Sequence, residues 1–411
     1  MRISSSGFYQ SQLNNITART EQLHKQLDRL SSGVRVQTAA DDPVAMNSIF
    51  SYREELKNIE QYGKNIDVAE HRLRREESSL TTGENLLQQS KELLLKANSG
   101  VNTQDERDAL AVQLKNNIGE LLDLANAQDE FGHYIFGGFQ NDAEPFVMQP
   151  DGQVNYKGDG GQREIQIGAS VKVATNHDGR AVFGQVPNPR GDFTASYQLQ
   201  GSREDNLRID KAEIDDKSVF SDAASYQISF SDNAGVLEAS ISYEDENGVI
   251  QSSTPQPYTS GQSITAFGIE VAVNGEVKDG DQVTLESNVQ NGNGQDYLNA
   301  FDSLNRALSW LQKDNNSASG QSELNEVLDE LDAVSAHFTR VRADTGNRLV
   351  RLDHQRTGHE DMALTLEKVR GGMEDLDYAK ATGEFSQTMV ALQATQTMFG
   401  KVQSMSLFNY I

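Results

Sequence analysis

The residues best suited to metal ligation or proton transfer are seven histidines: His24, His71, His133, His177, His337, His354 and His359. They are scattered. Only His354 and His359 lie close, and a spacing of five is not the i, i+4 step that sets two imidazoles on one helix face for zinc. Solvated or core roles are expected for all seven. Cysteine is absent, which removes thiolate metal sites, disulfides and a thiol nucleophile. Gly158-Asp159-Gly160-Gly161 lacks the lysine and the strand-to-helix setting of a phosphate cradle, so it reads as a turn. Asp279-Gly280-Asp281 and Asn291-Gly292-Asn293 look like calcium-loop fragments, but no glutamate follows at EF-hand spacing, and surface turns are expected. No Gly-x-Ser-x-Gly nucleophile elbow occurs. The many carboxylates between 139 and 297 single out no acid–base pair. No catalytic, metal or cofactor residue is nominated, and the expected role is not enzymatic.

Charge says more than chemistry. The chain has 411 residues, 61 acidic and 36 basic, for a formal net charge of −25. Residues 1–40 carry +3, residues 41–138 carry −8, residues 139–297 carry −15 and residues 298–384 carry −6, while the last 27 hold only Lys401. Such an acidic chain is not expected to bind nucleic acid, which needs clustered lysine and arginine. No apolar run reaches the ~18 residues of a membrane span. Met1 to Phe8 has no apolar core of the kind a cleaved signal needs. The acidic middle favours solubility, and the nearly acid-free ends favour contact with other protein.

The elements follow from proline and periodicity. Six of seven prolines lie between Pro145 and Pro257, so the flanks can hold long helices. Leu13, Ile16, Thr20, Leu23, Leu27, Leu30 and Val34 make a heptad seam. Asp42 is placed to cap a helix whose first residue is Pro43. That helix carries Met46, Ile49, Phe50, Leu56, Ile59, Ile66, Leu73, Leu80, Leu87 and Leu94. Thr103 and Glu106 form a capping box ahead of Leu110, Leu114, Ile118, Leu121, Leu122, Ala125 and Phe131. From 139 to 297 the period becomes two, and Asp151-Gly152, Asn247-Gly248 and Asn274-Gly275 read as hairpin turns. Helical patterns resume at Tyr297, through Leu304 and Leu311, then from Leu324 towards Met373. The end has two adjacent stripes: Phe385, Met389, Leu392, Gln396 and Phe399, beside Ala391, Ala394, Met398, Val402 and Met405. Together they are too wide for one two-helix seam. An assembly interface is expected on Leu13, Ile16, Leu23, Leu27, Leu30, Val34, Phe385, Met389, Leu392, Met398, Phe399, Val402 and Met405. The expected fold is α+β, with elongated terminal helical arms around an inserted antiparallel β domain. Its parts are assembly segments 1–40 and 376–411, a helical bundle 41–138 and 298–375, and a β-rich insert 139–297.

Leu30-Ser31-Ser32-Gly33-Val34-Arg35-Val36 with Ala39-Ala40-Asp41-Asp42-Pro43 resembles the start of the flagellin and hook-associated family. Tyr134-Ile135-Phe136-Gly137-Gly138-Phe139, Thr345-Gly346-Asn347-Arg348-Leu349 and the ending Met405-Ser406-Leu407-Phe408-Asn409-Tyr410-Ile411 are similar to motifs of its hook–filament junction members. The resemblance covers about 1–139 and 300–411 and not the insert. It implies a structural part of an extracellular bacterial flagellum, secreted through the flagellar export channel, with a chaperone on the C-terminal segment. The implied partners are adjacent copies, the first hook-associated protein and flagellin. A filament subunit, or an adhesin or glycan-active protein using the insert, are the alternatives.

Overall fold

The computed structural model describes residues 5–99, 102–203, 205–220, 225–245, 247–287, 297–313 and 317–408. Its helices are α1 (Ser5–Ser32), α2 (Pro43–Ala97), α3 (Gln104–Ala125), α4 (Ala300–Gln312), α5 (Ala318–Glu374) and α6 (Tyr378–Phe408). Among the described residues no helix is long and apolar enough to cross a membrane. The chain divides into two compact units: residues 1–64 with 354–411, and residues 65–353.

The larger unit is built on a heptad row. Ile66, Leu73, Leu80, Leu87 and Leu94 of α2 are all buried, one every seven residues; the last three join the core formed with α3, α4 and α5, and the first two join a separate cluster with Leu352 of α5. Phe131, expected to continue the α3 pattern, instead lies beyond the helix end at Ala125 and is exposed. Thr103 Oγ1 accepts from the Glu106 N–H at 3.3 Å and Glu106 Oε2 accepts from the Thr103 N–H at 2.8 Å, closing the capping box. Five phenylalanines, Phe136, Phe146, Phe183, Phe301 and Phe338, seal the core around Phe183, with ring centroids 5.2 to 5.8 Å apart. Phe183 sits in a π-helical turn, Arg180–Gly184. Gly138, in the same motif as Phe136, has φ +72°, and a Cβ there would lie 2.1 Å from Asp159 Oδ1. Asp159 Oδ1 also accepts from the Phe139 and Gly161 N–H groups at 2.8 Å, so residues 158–161 form a turn.

The insert has its own core. Strands 250–252, 236–244, 225–233, 282–287 and 193–198 lie side by side in that order, with 256–257 also pairing with 236–244. A second sheet orders 263–266, 269–274 and 208–214, and these strands pair antiparallel, with one isolated parallel bridge from Gly191 to Ala212. Phe193, Tyr226, Ile228, Ile241, Val271 and Leu285 are among the buried residues between them. Asp151-Gly152 and Asn247-Gly248 join paired strands. Asn274-Gly275 does not: the next strand pairs elsewhere, and a Cβ on Gly275 would lie 2.4 Å from the Asn206 carbonyl oxygen. Two tight hairpins turn instead at Ala234-Gly235 and Phe267-Gly268, whose non-glycine residues take φ of 53° and 54°. Asp281 is not in a solvated turn either. It is fully buried and holds the Arg203 guanidinium at 2.8 and 2.9 Å, while accepting from the Gln200 and Lys278 N–H groups.

Where the insert returns to the helices, the hairpin 164–166/172–174 packs Ile167 and Val173 on Ile66, Ala69, Leu73 and Leu352. Beside it His177 is buried between helices. Its Nδ1 pairs with Glu76 of α2, and its Nε2 lies 2.9 Å from Asp344 and 2.9 Å from Arg348 of α5. Burial lowers the imidazole's pKa and Arg348 opposes its charge, but the hydrogen bond and charge of Glu76, with Asp344, outweigh both and raise it above 6.5. A raised folded-state pKa adds stability that is fully present below the unfolded value and is lost as pH climbs through the folded value. His177→Gln leaves buried Glu76 short of its charged partner, which should cost about 1–3 kcal/mol. Urea midpoints should therefore separate wild type from His177→Gln more widely at pH 6 than at pH 8; a gap that widens at pH 8 would refute the assignment.

Candidate assembly face

The smaller unit pairs α1 with α6 antiparallel. Tyr9 of α1 meets Phe399 of α6 edge-on at 5.9 Å near one end. At the other end the chain segments following α1 and preceding α6 are stitched by backbone bonds. Arg35 N–H donates to Glu374 O at 2.7 Å, and Leu376 N–H donates to Gly33 O at 2.9 Å. Arg53 of α2 pairs with Glu374, and Arg35 donates to Met373 O at 2.6 Å. The loop between α1 and α2 is fastened by its acids. Asp41 takes the Arg29 guanidinium at 2.7 Å and the Thr38 N–H at 3.0 Å, and the Arg29 bond holds its carboxyl below the usual range. Asp42 accepts from the Ala45 N–H at 3.0 Å, with Pro43 as first helical residue.

Gly33 shows why this corner needs a glycine. Its φ is +72°, and an added Cβ would stand 2.8 Å from Tyr378 Oη.

The expected interface residues fall into two groups. Ile16, Leu23, Leu30 and Val34 of the first seam are half-buried, whereas Leu13 and Leu27 are 47% and 50% exposed. On α6 the sheltered line is Ala381, Phe385, Thr388, Leu392, Thr395 and Phe399, stepping 4, 3, 4, 3, 4. Threonines therefore occupy the places expected for Met389 and Gln396, and Met389 is turned outward, as are Val390 and Met398. The side chains of Val402 and Met405 lie outside the described residues. On α2, Phe50 is 55% exposed although its neighbour Ile49 is buried.

Among the described residues only Val36, Ile49, Ile59 and Leu392 are buried apolar side chains in this unit, and none joins a contiguous core. Yet the unit, under a third of the chain, holds half of the exposed large apolar side chains. Among the described residues no group of three or more His, Asp or Glu is poised to hold a metal. Even His177 has its two carboxylates on opposite ring edges, so they do not converge on one ion.

Residues 3–141 match the family model for the bacterial flagellin N-terminal helical region. That match covers about a third of the chain. It is 28% identical to flagellar hook-associated protein 3 of Salmonella typhimurium over 198 residues, 46% of this chain and 61% of that protein. The chain thus spans about three-fifths of the length of the curated relatives it matches. A flagellin of Escherichia coli is 27% identical over 118 residues, 29% of this chain and 21% of that protein. The crystal structure of the flagellar junction protein from Legionella pneumophila superposes with a TM-score of 0.61 at 25% identity, over 81% of this chain and all of that one. The chain has the helical arms and inserted sheets that its residues suggested, and it shares this fold with the Legionella junction protein.

Gly33→Ala should lower the melting temperature through a left-handed backbone penalty of about 1–2 kcal/mol plus the Tyr378 clash. Gly63→Ala, in open space on α2, should be neutral or stabilise by up to about 1 kcal/mol. Far-UV circular dichroism melts of the full chain distinguish them, and equal effects would contradict the account of Gly33.

Proposed function

We propose that this chain is a structural component of the bacterial flagellum, placed at the hook–filament junction outside the cell, where copies pack through α1 and α6. Its neighbours would be adjacent copies, the first hook-associated protein on one side and flagellin on the other. An export chaperone would hold the C-terminal segment beforehand. One observation carries the reading: the smaller unit buries four apolar side chains and exposes eleven large ones among the described residues. Leu13, Leu27, Met389 and Met398 would meet other subunits, while Ile16, Leu23, Leu30, Val34, Phe385, Leu392 and Phe399 close the α1–α6 seam. The names of the Salmonella and Legionella relatives support the junction over the filament.

The match to flagellin favours one other reading, the filament subunit itself. Purified chain added to sheared filament seeds should fail to lengthen them extensively if it is a junction part. For the junction reading, Leu27→Asp and Met398→Asp should shift monomer stability by no more than about 0.5 kcal/mol, as exposed sites do. Both should abolish motility, because assembly would bury an unpaired carboxylate. Normal swimming with both substitutions present would overturn it.

A further inference from the structure

The sheet module 188–287 meets the helices through charge rather than through a shared apolar core. The helical core takes in Val186 and resumes at Leu298, while the sheet core runs from Phe193 to Leu285 as a separate cluster. Between them stands Arg190, with its side chain 5% exposed. It donates to the Glu326 backbone oxygen at 2.8 Å and to Asp329 at 3.3 Å, and meets the carboxylates of Glu326 and Glu330 only at 3.5 and 3.9 Å. Arg306 of α4 approaches from the other side, paired with Glu330 and 3.7 Å from Glu326. Glu326 Oε1 accepts from the Ala195 N–H at 3.2 Å, and Ser319 Oγ accepts from the Leu199 N–H at 2.9 Å. Oε2 of Glu326 is buried and accepts no hydrogen bond.

We propose that the sheet module 188–287 is fastened to α4 and α5 by a proton-sensitive ionic joint centred on Arg190 and Glu326, and that weakening this joint releases the module as an intact folded body. Two guanidiniums face two buried glutamates, with Asp329, Asp302 and Glu323 adding negative charge at the edge and the buried Tyr197 hydroxyl close enough to interact with Glu326 through charge. A buried carboxylate so imperfectly paired favours its proton. Burial pushes Glu326 up to about 7 against the pull of Arg190 and Arg306, and Glu330 is pushed up too. An acid whose docked-state pKa is raised above 4.5 binds its proton better when docked, so docking strengthens as pH falls and weakens as pH rises towards and past 7. The module survives release because its own core and the Arg203–Asp281 pair lie inside it.

Native-state hydrogen exchange on the full chain tests this. After correction for intrinsic rates, protection of the Ala195 and Leu199 amides should fall about tenfold between pH 6 and pH 8, as a displacement of Glu326 from 4.5 to about 7 implies. Amides of the central strand Ser225–Asn233 should keep their protection. Glu326→Gln should reduce the pH dependence at Ala195 and Leu199 well below tenfold, leaving only the part due to Glu330, and the wild-type series stands alone if that variant does not fold. Protection lost in parallel across the module, no change at the joint amides, or a Glu326→Gln chain with the same tenfold fall would each overturn the proposal.

Discussion

Two antiparallel helices can shelter only one seam between them, and α1 and α6 carry more apolar surface than that seam can take. Phe385, Leu392 and Phe399 fill it from one side, with Ile16, Leu23 and Leu30 on the other. Leu13, Leu27, Met389, Val390 and Met398 are left at 40% to 68% exposure. Covering a half-exposed side chain of this size contributes about 1 kcal/mol, half the value for complete burial. Five of them give roughly 5 kcal/mol per subunit, at the low end of the ~4–15 kcal/mol that association costs. Stable packing therefore requires neighbours to cover Val44, Phe50, Met362 and Leu364 on α2 and α5 as well, which are also exposed.

The larger unit solves the opposite problem. It has enough apolar surface for three separate clusters, and its difficulty is joining them across polar ground. Buried ion pairs do that work at His177 with Glu76 and Asp344, and at Arg190 with Glu326 and Glu330. Such pairs add little net stability, since desolvation offsets their attraction, but breaking one strands a buried charge. They fix where the sheets sit on the helices more than how firmly each part folds.

The helical architecture was legible because its signals are local. Heptad steps, the Thr103–Glu106 box and the Asp42-Pro43 start each specify structure within a few residues, and the family motifs add Gly33 and Phe136 at positions with an evident steric reason. What escaped was decided at long range. His177 finds Glu76 and Asp344 at separations of 101 and 167 residues. Asp281 looked like a turn acid until Arg203, 78 residues earlier, claimed both its oxygens. Ala234-Gly235 and Phe267-Gly268 turn without the asparagine or aspartate that marks such hairpins, held by strand pairing on either side. On α6 the choice between Met389 and Thr388 for the sheltered line could not follow from hydrophobicity, because the larger apolar residue is the one left outside.

If the terminal helices complete their core only in company, their stability must depend on assembly. Isolated helices and thin helix pairs are marginal in water, so amides of α1 and α6 should exchange quickly in the free chain. The most direct measurement is residue-resolved hydrogen exchange over 5–32 and 378–401 in the free monomer and in the assembled state. The account predicts protection rising by at least about a hundredfold on assembly, equivalent to roughly 3 kcal/mol, with the core amides of 65–353 unchanged. Equal protection of α1 and α6 in the free and assembled states would contradict it.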